Sequence, residues 1–146
     1  MTLLPSPTTL LRLALRCNAW FSGLSGLLFL LAARPIAALL GIETPWIVTT
    51  LGLGLLLYAL WLALTVRRPA PDRREVLVAI GLDAAWVLGS ALLLIAAPIP
   101  LTQAGKWAVG IAADIVATFA VLQAYGLLKF EATHASYQAK TSHPYH

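Results

Sequence analysis

The sequence predicts an all-α membrane protein, a bundle of four transmembrane helices. Three observations predict it. The 146-residue chain is 60% hydrophobic and only 11% charged, where soluble domains carry about 25% charged residues. Its mean hydropathy is +0.82, and the apolar residues fall into four runs near the ~20 residues that cross a ~30 Å hydrocarbon core. The charges sit mostly at the ends of those runs. A soluble fold of this size would leave most of that apolar surface in water, so lipid is the better solvent and one membrane domain spans residues 1–146.

The first span is predicted over residues 9–33, with Thr8 or Thr9 as its cap. Arg12 and Arg16 lie four apart on one face and are placed to snorkel toward lipid phosphates. A cleaved signal peptide competes with this reading. The long charged lead, the poor small-residue site before Arg34 and the nearby Pro35 favour an uncleaved span. PIAALLG then reads as a short amphipathic turn at the interface, ended by Gly41.

Pro45, at a first-turn position, opens the second span, residues 46–66, and Trp46 suits the interfacial aromatic belt. The polar loop from Arg67 to Glu75 offers Asp72 as an N-cap, with Glu75 three residues on as in a capping box. The third span, residues 76–97, reads VLVAIGLDAAWVLGSALLLIAA and carries Asp83. A short turn with Thr102 as cap leads to the fourth span, residues 107–128. Residues 129–146 read as a cytoplasmic tail in which the helix continues for a turn or two through FEATHASYQ before the frayed end KTSHPYH.

Orientation follows from the basic residues. Arg12, Arg16, Arg67, Arg68, Arg73, Arg74, Lys129 and Lys140 fall on one side of the membrane, and Arg34 and Lys106 on the other. The positive-inside rule therefore puts both termini in the cytoplasm. The same distribution argues against nucleic acid as the partner of a chain of net charge +4, because the cations mark segment ends.

A shift of 65 residues lays the first span on the third without a gap, matching Asn18 with Asp83 and Ser25 with Ser90. A shift of 61 lays the second on the fourth, matching Trp46 with Trp107 and Tyr58 with Phe119. The expectation is two tandem helical hairpins in parallel repeat about a pseudo-two-fold along the membrane normal.

Two carboxylates lie inside spans. Asp83 is about seven residues, ~10 Å, in from the cytoplasmic end of its helix, and Asp114 is similarly deep from the opposite end of the fourth. A charge at that depth costs a few kcal/mol unless it faces protein or water. Depth places Asn18, Tyr58 and Gln123 near Asp83, and Ser25 and Ser90 near Asp114, so two polar layers are expected. Such layers serve either as a proton or substrate path or as interhelical hydrogen bonds that fix helix order. Small residues four apart, among them Ala19/Gly23, Ser22/Gly26 and Ala85/Gly89, point to close helix packing. Trp20, Trp61 and Trp86 are deeper than an aromatic belt requires and are expected to fill the core.

Several chemistries drop out. The single cysteine, Cys17, forms no internal pair, which removes thiol–disulfide exchange between paired cysteines. All three histidines, His134, His143 and His146, follow the last span, which removes haem ligation by a histidine pair within the bilayer. No HExxH, GxSxG or Walker motif occurs. No catalytic set, metal site or cofactor is expected.

The run RCNAWFSGLSGLLFLLAARPIAALLG, the DAAWVLGS segment and the GKW and LQAYGLLK pieces together resemble a group of small four-helix bacterial inner-membrane proteins. The resemblance implies that location and a four-helix fold, and lends no activity or site residue. The chain is similar in size to the small multidrug transporters, but Asn18 stands where those keep an essential first-span glutamate. The polar Arg/Asn/Glu signature of the glutathione-linked four-helix membrane enzymes is not found here. The expected function is an accessory or self-associating membrane bundle, with the bilayer and a homo-oligomer or membrane-complex subunit as partners. The alternative is a small oligomeric transporter or channel using Asp83 and Asp114.

Overall fold

The computed structural model describes residues 7–69, 72–96 and 99–141. Over these the chain forms α1 (Pro7–Leu31), α2 (Ala33–Leu40), α3 (Pro45–Arg67), α4 (Arg73–Ala96) and α5 (Gln103–Thr141). All but α2 are long and apolar enough to cross a membrane. The four long helices make an all-α bundle in which α1 pairs closely with α3, α4 with α5, and α1 also with α5. The short α2 packs across one end, against α3 and α5.

Glycines set the close approaches. A Cβ on Gly26 of α1 would lie 2.7 Å from the Gly52 carbonyl of α3, and one on Gly52 would lie 2.8 Å from the Phe29 Cβ. The backbones of α1 and α3 therefore touch where neither has a side chain, as small residues allow in membrane bundles. At the end of α2, Gly41 is left-handed, with φ 82°. Its N–H donates to the Ala38 carbonyl, and the Ile42 N–H donates to that of Ala37 at 2.8 Å. This is a Schellman stop, which satisfies carbonyls that a helix end otherwise orphans. The turn is clamped to the start of α5. The Thr102 N–H donates to the Leu40 carbonyl at 3.2 Å, and its hydroxyl donates to that of Leu39. The same Thr102 oxygen accepts the Gly105 N–H at 2.9 Å, making Thr102 the N-cap the sequence suggests.

Two apolar clusters lie toward opposite ends. Leu11, Leu15, Leu62, Val66, Val76, Ala79 and Leu127 form one. Ala37, Leu40 and Val48 form the other, with Phe29, Ile36 and Val109 packed on it. The outer surface is also apolar: Ile95 is 84% exposed and Leu31 79%. That surface is tolerable in acyl chains and not in water.

The inward faces of the two hairpins are in phase. Leu11, Ala14 and Asn18 of α1 are buried, as are their counterparts Val76, Ala79 and Asp83 of α4. Leu62, Thr65 and Val66 of α3 are buried, as are Gln123, Gly126 and Leu127 of α5. The packing is less symmetric than the phase. Gly126 lets α5 approach the Leu11 backbone of α1 closely, whereas Thr65 takes its place in α3, and α3 and α4 have no comparable approach.

Several expectations change. The helix after Leu128 does not give way to a tail within a turn or two but runs on to Thr141. No Gly or Pro interrupts it, Arg73 pairs with Glu131 at 2.5 Å, and the Thr133 and Ser136 hydroxyls return to carbonyls four residues back. Of the expected frayed end KTSHPYH, Lys140 and Thr141 belong to this helix, and residues 142–146 lie outside the described residues, as does the last residue of the third span, Ala97. Asp72 does cap α4, its carboxylate accepting the Arg74 N–H at 3.0 Å. Glu75, however, pairs with Arg68 at 2.6 Å. Arg12 turns inward to donate to the carbonyls of Arg68 and Pro69, where α3 ends and its carbonyls lack helical partners. Trp20 is 71% exposed and fills no core. Asn18 and Ser22 take the inward face of α1, and Trp20 between them points the other way.

Candidate functional site

The centre of the bundle is a polar cluster contributed by all four long helices. Asp83 lies on the buried stripe of α4 with Val76, Ala79 and Ser90. Its carboxylate is 2% exposed as a residue, Asn18 and Gln123 are fully buried, and Tyr58 is half-buried. The Asn18 amide of α1 donates to Asp83 Oδ2 at 2.7 Å, and the Gln123 amide of α5 donates to the same oxygen at 3.0 Å. The Tyr58 hydroxyl of α3 donates to Oδ1 at 2.8 Å. Each neighbouring helix thus supplies one donor to a single carboxylate.

Helical periodicity explains the convergence. Asn18 follows Leu11 and Leu15 at seven and three residues, Asp83 follows Val76 and Ala79 at seven and four, and Gln123 precedes Leu127 by four. These spacings hold each polar group on its helix's buried face, one level above the apolar cluster. Tyr58 is steadied by Trp61, stacked at 5.9 Å.

The cluster has a second tier that side-chain spacing only half reveals. Ser22 donates to Asn18 Oδ1 at 3.2 Å, which fixes the orientation of that amide. The Tyr58 hydroxyl also lies 3.3 Å from the Ala79 carbonyl and 3.4 Å from Asn18 Nδ2. The signal for Ser22 was its place four residues after Asn18 on one helix face. A backbone acceptor such as Ala79 leaves no mark in sequence. Gln123 Oε1 and Trp86 Nε1 are buried without hydrogen-bond partners among the described residues.

The predicted second layer does not assemble. Ser90 is buried and Ser25 is half-buried, but Asp114 is exposed on the outside of α5. Ala113, Val116 and Ala117 of α5 are turned further inward than Asp114, so the inward face of the helix at this level is apolar. Asp83 and Asp114 therefore do not face one another across a shared path.

A cavity of about 290 Å³ lies between the ends of α1, α4 and α5, lined by Leu11, Arg73, Leu127 and Glu131 among others. None of the four clustered polar residues lines it, nor do they line the open groove beside Arg34 and Gly41. Among the described residues no group of three or more His, Cys, Asp or Glu side chains is placed to hold a metal ion. What the cluster does chemically is bind helices to each other: one carboxylate, three donors, four spans. No family model, curated protein or solved structure matches the chain.

Proposed function

We propose that this small multi-pass membrane protein is a non-catalytic accessory or self-associating bundle of the bacterial inner membrane, with both termini cytoplasmic. The observation that carries the reading is the saturation of Asp83 by Asn18, Tyr58 and Gln123. A carboxylate engaged by every other spanning helix is a structural pin, since interhelical hydrogen bonds of this kind are worth about 0.6–2 kcal/mol each. Unfilled small positions on the outside add support. Added Cβ atoms on Gly81 or Gly89 of α4 would meet nothing within 4 Å, so this face has room for another helix.

The test is purification in mild detergent followed by measurement of mass. A stoichiometric complex with another membrane protein, or a defined homo-oligomer, is expected. A lone monomer would contradict the proposal. The second reading, a small oligomeric transporter or channel, is favoured by one fact: the Tyr58 hydroxyl lies within reach of two acceptors, Asp83 and Ala79. The separation of Asp83 inside from Asp114 outside favours the structural role.

A further inference from the structure

Asp114 is the charge that the bundle does not use. It stands on an outward stripe of α5 that runs Trp107, Ile111, Asp114, Thr118, Val121 and Tyr125, at alternating steps of four and three residues. Trp107 is 66% exposed and Val121 67%, so the stripe faces away from the other helices along its length. The carboxylate has no ion pair or hydrogen bond among the described residues. Thr118 does not serve it, because its hydroxyl donates to the Asp114 backbone carbonyl at 2.9 Å.

Its depth is fixed by the clamp at the start of α5. Gly105 touches Leu40 of α2, the short helix across that end of the bundle. Asp114 follows Gly105 by about nine residues, ~13 Å along the axis. The cations on that side, Arg34 and Lys106, belong to the end level; Lys106 is about eight residues, ~12 Å, from the carboxylate. Aspartate is too short to reach the interface from that depth as lysine does. A carboxylate left in acyl chains costs a few kcal/mol, and intramembrane charges generally pair with one another.

We infer that Asp114 marks the docking site for a transmembrane helix of another protein that carries a lysine or arginine at matching depth. Charge complementarity selects this occupant over a second copy of the chain. Two copies related by an axis along the membrane normal set Asp114 against Asp114, and the chain has no basic side chain at that level to offer. Gly110, one turn before the carboxylate, has nothing within 4 Å of an added Cβ, so a partner backbone has space to approach there. This partner rests on the accessory-subunit reading and gives it a specific chemistry.

The test reconstitutes the full chain in phosphatidylcholine vesicles with synthetic leucine–alanine transmembrane helices and reads energy transfer between them. One probe helix carries a single lysine ~13 Å from its end, matching the depth of Asp114, and the control carries leucine there. The lysine helix is expected to bind about tenfold more tightly, the scale of one polar interhelical contact. Asp114→Leu should erase that difference and leave the chain's helicity and unfolding unchanged, because the carboxylate bonds nothing among the described residues. Equal binding of the two probes, or a lysine advantage that survives Asp114→Leu, would overturn the inference. So would energy transfer between copies of the chain that Asp114→Leu removes, which would make the occupant a second copy. The accessory reading fails separately, by a monomeric mass in mild detergent.

Discussion

At the scale of residues, the three polar side chains around Asp83 are not equal. Asn18 donates to Asp83 and accepts from Ser22, so both ends of its amide are engaged. Gln123 donates to Asp83, but its buried carbonyl oxygen has no partner. An unsatisfied buried acceptor carries a desolvation penalty of about 1–3 kcal/mol, which offsets most of what its own hydrogen bond contributes. Gln123→Leu is therefore expected to destabilise the bundle less than Asn18→Leu, as read from reversible unfolding in mixed micelles. The reverse order would show that the amides are held by contacts other than these. Asp83 itself separates charge from shape. Asp83→Asn retains an acceptor for an amide donor and a group that can face Tyr58, so it should unfold like the parent. Asp83→Leu loses all three bonds and should cost about 2–4 kcal/mol.

At the scale of elements, the α1–α3 contact is the least forgiving. Gly26 and Gly52 bring two backbones together, and a methyl on either meets backbone atoms at 2.7–2.9 Å. Gly52→Ala must push the helices apart, at about 1–3 kcal/mol. Gly89→Ala meets open space and should be neutral or slightly stabilising, because alanine is the better helix former. A loss of stability at Gly89 as large as at Gly52 would contradict the packing described here. The elements were largely legible in the sequence because apolar run length, Pro45, Gly41, Asp72 and Thr102 are local signals. The continuation of α5 past Lys129 was legible for a turn or two; its full run to Thr141 was not, since it is helped by Arg73, a distant partner of Glu131. The polar layer was legible from depth: Asn18, Tyr58, Asp83 and Gln123 meet as their heights along the spans suggest. Depth gives height and not direction, which is why Asp114 and Trp20, at plausible levels, turned out to face outward.

At the scale of the whole molecule, two apolar clusters hold the ends and one carboxylate ties the middle. In the proposed orientation, the basic residues Arg67, Arg68, Arg73 and Arg74 mark the loop after α3 as the cytoplasmic one. With Cys17 replaced, Pro69→Cys should be shielded from an impermeant thiol reagent in intact cells, and Thr44→Cys should be labelled. The opposite pattern would invert the topology.

The central claim is that Asp83 holds helices together and moves nothing across them. Proton flux into proteoliposomes under an imposed pH gradient tests it most directly, comparing the parent with a folded Asp83→Asn variant. Both are expected to leak at the rate of protein-free vesicles. A flux carried by the parent and abolished by Asp83→Asn would show that the carboxylate is a carrier and contradict the account.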